Sequence, residues 1–178
     1  MRAPRALGAS LAFALAAALT LGGCSRQEPA APVAASAKSA TPDIFAASFP
    51  DLDGKMQPMR QWQGKVVVLN FWASWCPPCR QEIPGFIALQ DKYRERGLVF
   101  IGLAIDQKQN AQAFADEIGI NYPVLLGDTR GVDLSSALGN RLGGLPFTVV
   151  FDRQGQVAAT ELGGVTPAAL EKIVKPLL

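Results

Sequence analysis

Two runs of apolar residues organise the chain. Residues 65–72 and 98–105 are nearly continuously apolar rather than alternating, which marks strands buried on both faces. Helical periodicity follows each run. Between residues 77 and 96, Ile83, Phe86, Ile87, Gln90 and Tyr93 recur at three- and four-residue spacing, and the pattern ends at Gly97. Pro84 lies inside this helix and is expected to kink it, because proline removes a backbone donor. Residues 109–118 form a second helix with Ala111, Phe114, Ala115 and Ile118 inward, stopped by Gly119. Residues 122–126 read as a short extended piece and residues 132–138 as a short helix before Gly139. Residues 146–151 and 156–162 read as a hairpin around Asp152-Arg153-Gln154-Gly155. Residues 167–177 make a last helix, with Thr166 as N-cap and Pro167 in its first turn. Upstream, residues 49–55 read as a short strand closed by an Asp53-Gly54 turn. The order β-β-α-β-α-β-α-β-β-α predicts an α/β domain: a central mixed β-sheet flanked by helices on both faces.

The first 42 residues follow a different pattern. Arg2 and Arg5 precede residues 6–21, which carry no charge and are rich in Ala and Leu. This is the charged and apolar portion of an export signal, too short for a spanning helix. It ends in Leu21-Gly22-Gly23-Cys24, a pattern that resembles a bacterial lipobox, with Cys24 as the lipid-anchored first residue of the mature protein. A signal cleaved at small residues or an uncleaved anchor are the alternatives. Residues 1–23 are therefore read as a lipoprotein-type signal peptide and residues 24–42, rich in Ala, Pro and Ser, as a flexible tether. Residues 43–178 are the size of one domain. The expected location is the periplasm or cell envelope, on a membrane anchor; Ser25 after the lipid cysteine favours the outer membrane in a cell that has one.

Charge excludes one class of partner. Removing the leader takes Arg2 and Arg5 and leaves 15 basic against 15 acidic residues, with the basic ones scattered singly. Nucleic-acid binding is disfavoured.

The chemistry concentrates in Trp75-Cys76-Pro77-Pro78-Cys79, where the first buried strand meets the first helix. A thiol at a helix N-terminus faces unpaired N–H groups and the positive end of the helix dipole, which favour the thiolate. The second thiol, one turn on, is close enough to close a disulfide onto the first, giving a two-electron switch. An oxidising compartment would hold such a pair oxidised, so a reducing role needs an external electron supply. A structural disulfide or inert pair is the plain alternative. A zinc site is a poor fit, because the chain has no His and Cys24 sits at the anchor.

The stretch Val68-Leu69-Asn70-Phe71-Trp72-Ala73-Ser74-Trp75-Cys76-Pro77-Pro78-Cys79-Arg80-Gln81-Glu82-Ile83-Pro84, followed by Gly144-Leu145-Pro146-Phe147-Thr148, closely resembles the TlpA/ResA family of thioredoxin-like proteins, which are membrane-anchored bacterial thiol–disulfide oxidoreductases. The resemblance covers about residues 49–178. It implies a thioredoxin-like fold, with residues 109–124 as the αβ insertion of that family. It also implies Cys76 as an exposed attacking thiolate and Cys79 as the inward resolving thiol. Pro77 and Pro78 fit the first helical turn, where a missing N–H matters least. They withhold two donors from the thiolate, and no imidazolium is present to help. The Cys76 pKa is therefore expected to be moderately lowered, nearer thioredoxin's (~7) than that of the oxidant DsbA (~3.5), which favours giving electrons.

Glu82 lies three residues after Cys79, so on a helix the two share a face. A desolvated carboxyl there could carry the proton of the exchange, the role the family implies; the alternative is a solvated surface Glu. Asn70 stands where thioredoxins carry a buried Asp, which makes Glu82 the more attractive proton carrier. The resemblance further implies a cis Leu145-Pro146 bond beside the cysteines, with the Leu145 backbone pairing with a bound peptide. Phe147 stands where relatives often have Thr. Trp75 is expected as a partly exposed platform for substrate and Trp72 as core. Asp106 could lie near the site or serve as a cap, and it stays outside the catalytic set.

The reading is a disulfide reductase with Cys76, Cys79 and Glu82 as catalytic residues and Trp75, Pro77, Pro78, Leu145 and Pro146 as substrate-binding residues. It needs no cofactor beyond the redox-active disulfide. The family implies disulfide-bearing exported proteins as clients, such as apocytochrome c in cytochrome c maturation or a copper-site protein, and a DsbD-type membrane electron donor. Two other classes stay open. A peroxiredoxin-like thiol peroxidase would share the fold, although Ala73 stands three before Cys76 where a hydroxyl residue is expected. A non-catalytic tethered binding module would be expected to have lost a cysteine or the proline.

Overall fold

The computed structural model describes residues 43–178; the signal, the tether and Cys24 lie outside the described residues. The elements are β1 (Ser48–Pro50), β2 (Met56–Pro58), β3 (Val66–Trp72), α1 (Pro77–Tyr93), β4 (Leu98–Ala104), α2 (Lys108–Ile118), β5 (Val124–Leu126), α3 (Asp128–Ala137), β6 (Phe147–Phe151), β7 (Val157–Leu162) and α4 (Pro167–Val174). Short 3-10 turns occupy Ile44–Ala46, Met59–Trp62, Arg94–Arg96 and Lys175–Leu177. Among the described residues, no helix is long and apolar enough to cross a membrane.

Five strands form one sheet in the order β5-β4-β3-β6-β7. β3, β4 and β5 run parallel, β6 is antiparallel to β3, and β7 is antiparallel to β6. The sheet is thus mixed, as the element order predicts. β3 is the middle strand, and all seven of its residues are buried. Its alternate side chains feed two cores. Val66, Val68 and Trp72 join α1, α2 and α4 through Ile83, Phe86, Phe114, Leu170 and Val174. Val67, Leu69 and Phe71 join the opposite core, with Ile44, Phe49, Met59, Phe147, Val149 and Phe151. Each large apolar side chain so buried contributes roughly 1.5–3 kcal/mol. The helix and strand expected as the insertion are α2 and β5.

Polar groups inside the frame are matched to its gaps. β5 pairs with only Gly102–Ala104 of β4, which leaves the start of β4 without a strand on that side. The buried Gln90 of α1 fills the place: its Nε2 donates to Leu98 O at 3.2 Å and its Oε1 accepts from Phe100 N–H at 2.7 Å. α1 and α4 approach closely at Gly85, where an added Cβ would lie 2.2 Å from Pro167 Cγ.

Several boundaries differ from the sequence reading. The strand at residues 49–55 is a β1–β2 pair around a turn fixed by Asp51, whose Oδ1 accepts from Asp53 and Lys55 N–H at 2.9 Å each. β2 carries the exposed Met56 and ends at Pro58, so it has no apolar alternation. α3 starts at Asp128, four residues before the expected Val132, and runs through Gly131. That glycine is needed for contact rather than for a break, since a Cβ there would meet Ile105 Cδ1 at 2.8 Å. Asp128 starts the helix with φ +44° and its Oδ1 accepts from Arg130 N–H at 2.9 Å. Around the exposed Pro84, α1 continues without interruption from Pro77 to Tyr93.

Candidate active site

The parallel strand β3 delivers the chain to the N-terminus of α1, and Cys76 is the N-cap residue there. Cys76 and Cys79 form a disulfide with an S–S distance of 2.08 Å. Cys76 Sγ also accepts from the Cys79 N–H at 3.3 Å, one of the orphan donors of the first turn. The expectation that Cys76 is exposed is corrected: it is 4% exposed and Cys79 is fully buried. The reason is local. The Cys76 sulfur is folded over the helix end, bonded to Cys79 Sγ and accepting from the Cys79 N–H, and the two cysteines belong to the same apolar core as Trp72 and Ile83. Pro77 and Pro78 occupy the first turn of α1, Pro77 exposed and Pro78 half-buried.

Beneath the disulfide lies a buried polar chain. Glu82, on the next turn of α1, is 4% exposed, so the solvated-surface alternative is excluded. Its Oε1 accepts from Asn70 Nδ2 at 2.9 Å and its Oε2 from Val165 N–H at 3.0 Å. Asn70 Nδ2 also donates to Thr148 Oγ1 at 3.0 Å, across the β3–β6 register. Asn70 Oδ1 has no partner. Burial pushes the Glu82 carboxyl up from its ordinary 4.5 to about 7, against the opposing pull of the Val165 N–H and the Asn70 amide. A carboxyl so placed can both take and give a proton near neutrality. A cleft of about 210 Å³, lined by Pro78, Gln81, Glu82, Gly164 and Val165 among others, leads to it from solvent.

On the other side of the disulfide, Trp75 is 65% exposed, whereas Trp72 is fully buried with its Nε1–H unpartnered. The Leu145–Pro146 bond is cis. Pro146 is buried, and its carbonyl accepts from Gly163 N–H at 2.8 Å. Trp75 and Leu145 wall a common cavity of about 100 Å³ with Ile105 and Val132. Trp75 also borders a wider cleft of about 400 Å³ toward Asp106, Asn110 and Asp128. The structure thus gathers Trp75, Cys76, Pro77, Pro78, Cys79, Glu82, Leu145 and Pro146 around one end of the sheet.

Asp106 belongs to the same place. Its Oδ2 accepts from Ser74 N–H at 2.7 Å and from Ser74 Oγ–H at 2.6 Å, and its Oδ1 accepts from Gln107 N–H and Asn110 Nδ2. Burial acts to raise its pKa, but these hydrogen bonds outweigh it and hold the carboxyl below its usual value. Asp106 therefore ties the turn before Cys76 to the end of β4. Arg80 borders the same turn: its guanidinium lies 4.3 Å from the Phe114 ring centroid and reaches Ser74 O and Glu117 at 3.5 Å. Sequence offered only the signal of an Asp ahead of a helix, which reads equally as a cap. Thr148 and the Val165 N–H carried no signal, since their role depends on a register set far along the chain.

A reducible disulfide capping a helix at the end of a central β-strand, with a cis-proline loop beside it, defines a thiol–disulfide oxidoreductase of thioredoxin-like fold. Comparison with known proteins bears this out. A family model described as Redoxin matches residues 32–175. The chain belongs to that family and, within it, to the ResA-type thiol–disulfide oxidoreductases. It is 32% identical over 130 residues to the thiol–disulfide oxidoreductase ResA of Halalkalibacterium halodurans, covering 71% of this chain and 72% of that protein. It is 34% identical over 128 residues to the ResA of Bacillus thuringiensis, with the same coverage. Among solved structures, a thiol:disulfide interchange protein of the thioredoxin family from Chlorobium tepidum matches with a TM-score of 0.68 and 32% identity, covering 74% of this chain and 92% of that one.

Proposed function

We propose that this oxidoreductase works as an exported, membrane-tethered disulfide reductase, donating electrons from the Cys76/Cys79 dithiol to disulfides in other exported proteins. The observation that carries the reading is the buried Glu82 carboxyl, one turn from Cys79 and poised near pH 7. In the first step the Cys76 thiolate attacks a client disulfide. A mixed disulfide forms and one client thiolate leaves. Glu82 then takes the proton of the Cys79 thiol. The Cys79 thiolate attacks Cys76 Sγ, closing the Cys76–Cys79 disulfide and expelling the second client thiolate. The client gains two electrons and, with a proton from solvent and the one returned by Glu82, two thiols; the enzyme is oxidised to the state described above.

Trp75, Pro77 and Pro78 would present the client to Cys76, and the Leu145 backbone beside Pro146 would pair with it. A lipid on Cys24 would hold the enzyme in the envelope, where a DsbD-type membrane donor would recycle it. Apocytochrome c or a copper-site protein fits as client. The names of its relatives support thiol–disulfide exchange as the chemistry; the diproline between the cysteines and the absence of histidine support this direction of electron flow. Equilibration with glutathione redox buffers tests it. A potential near thioredoxin's, about −270 mV, is expected, and one at or above about −150 mV contradicts it. A Cys79→Ser variant should hold its client as a stable mixed disulfide on Cys76, identifiable by mass spectrometry.

A further inference from the structure

We propose that Asn140 is the positioning residue that sets the client-facing edge of the Leu145–Pro146 loop. The inference rests on the reading that the Leu145 backbone pairs with a client. Asn140 lies just beyond α3 and is 3% exposed. Its side-chain amide grips both backbone polar groups of one residue further along the loop: Nδ2 donates to Gly144 O at 2.8 Å, and Oδ1 accepts from Gly144 N–H at 3.1 Å. The second Nδ2 hydrogen reaches Ser135 Oγ on α3 at 2.9 Å. Every donor and acceptor of this buried amide is thus used.

The grip falls where the backbone needs it. Gly143, at φ +65°, and Gly144 immediately precede Leu145, and a Gly-Gly pair is the segment most free to wander. Leu142 before them is 89% exposed and anchors nothing. Asn140, whose own N–H is held by the Ser135 carbonyl of α3 at 3.0 Å, therefore connects the rigid α3 to Gly144 and fixes the peptide next to Leu145. Among the described residues, no hydrogen bond engages the N–H or C=O of Leu145. Gly144 is satisfied internally, and the next residue is left with its polar edge open, which is the arrangement strand-like pairing with a peptide requires.

Kinetics of the full chain test this, with insulin as the protein disulfide and dithiothreitol as electron donor. Asn140→Ala should raise KM for insulin by about threefold to tenfold with kcat retained, the loss expected when hydrogen bonds that order a binding edge are removed. The reaction of the reduced enzyme with dithiobis(nitrobenzoate), a small disulfide that needs no backbone pairing, should stay within about twofold. Ser135→Ala removes a neighbouring hydrogen bond and leaves the Gly144 grip, so its KM should stay near wild type. If Asn140→Ala does not fold, Asn140→Asp carries the same test, because its second oxygen faces the Gly144 carbonyl and only one of the two Gly144 bonds survives. An active wild type with unchanged KM in the Asn140 variant overturns the inference alone. So does a parallel fall in the small-disulfide rate, or an equal KM rise in Ser135→Ala. A wild type no better than Cys76→Ser at reducing insulin overturns the reductase reading and the inference together.

Discussion

The two sides of the central sheet are built on opposite rules. On one side, Val67, Leu69 and Phe71 of β3 meet Ile101, Leu103, Phe147, Val149 and Phe151 in an apolar core. On the other, the same strand places Asn70 between Val68 and Trp72, and Asn70 connects Glu82 to Thr148 below the disulfide. Among the described residues, the two buried side-chain atoms left without partners, Asn70 Oδ1 and Trp72 Nε1, both lie on this second side. A buried polar atom without a partner is unfavourable by about 1–3 kcal/mol, and a carboxyl forced to titrate near neutrality is unfavourable as well. One side of the sheet thus supplies stability and the other gives some of it up to the chemistry.

The largest effect should come from disturbing the dry side. Leu69→Ala removes a fully buried side chain from the middle strand and should cost about 3–4 kcal/mol of stability in denaturant titration. It should leave the Cys76/Cys79 potential unmoved, since nothing polar of the site contacts that face.

Glu82→Gln should do the reverse. The folded-state pKa of Glu82 is raised from 4.5 to about 7, so between those values the folded protein holds a proton that the unfolded chain releases. Stability therefore falls as pH rises through this window, and the penalty is complete above about 7. Removing the charge should make Glu82→Gln more stable than wild type by up to about 3 kcal/mol at pH 8, with that advantage vanishing toward pH 4. A pH-independent difference in chemical unfolding would contradict this.

Asn70→Ala takes away a hydrogen bond that favours the Glu82 carboxylate. Its effect is smaller: the pH midpoint of exchange should move upward by about 0.5–1 unit. The smallest change expected is for Asp106→Ala, about 1 kcal/mol in thermal or denaturant unfolding. Its hydrogen bonds to Ser74 are charge-assisted but half open to water.

The dry side was far more legible in the sequence than the wet one. Buried strands β3, β4 and β6 declare themselves by nearly continuous apolar runs, and α1, α2 and α4 by period and caps; Thr166 does cap α4, accepting from Ala169 N–H. β2 escaped because three residues with an exposed Met and a terminal Pro carry no pattern. The start of α3 escaped because residues 128–131, Asp-Thr-Arg-Gly, carry no apolar pattern. Within the site, the cysteines, Glu82 and Pro146 announce themselves by local spacing and family resemblance. Burial of Cys76 depends on the closed disulfide at the cap. The Asn70–Thr148, Ser74–Asp106 and Asn140–Gly144 contacts depend on register and loop geometry, which one-dimensional spacing does not encode.

The most direct test of the account is the pH dependence of the resolution phase, the release of the second client thiol after Cys76 has attacked, in single-turnover reduction of a peptide disulfide, comparing wild type with Glu82→Gln. Because Cys79 must give up its proton for the mixed disulfide to resolve, the wild-type rate should rise through a midpoint near pH 7. The Glu82→Gln variant should lack that limb and resolve about 10²-fold more slowly at neutral pH. Superimposable profiles for the two proteins would show that the carboxyl beneath the disulfide carries no proton in the reaction.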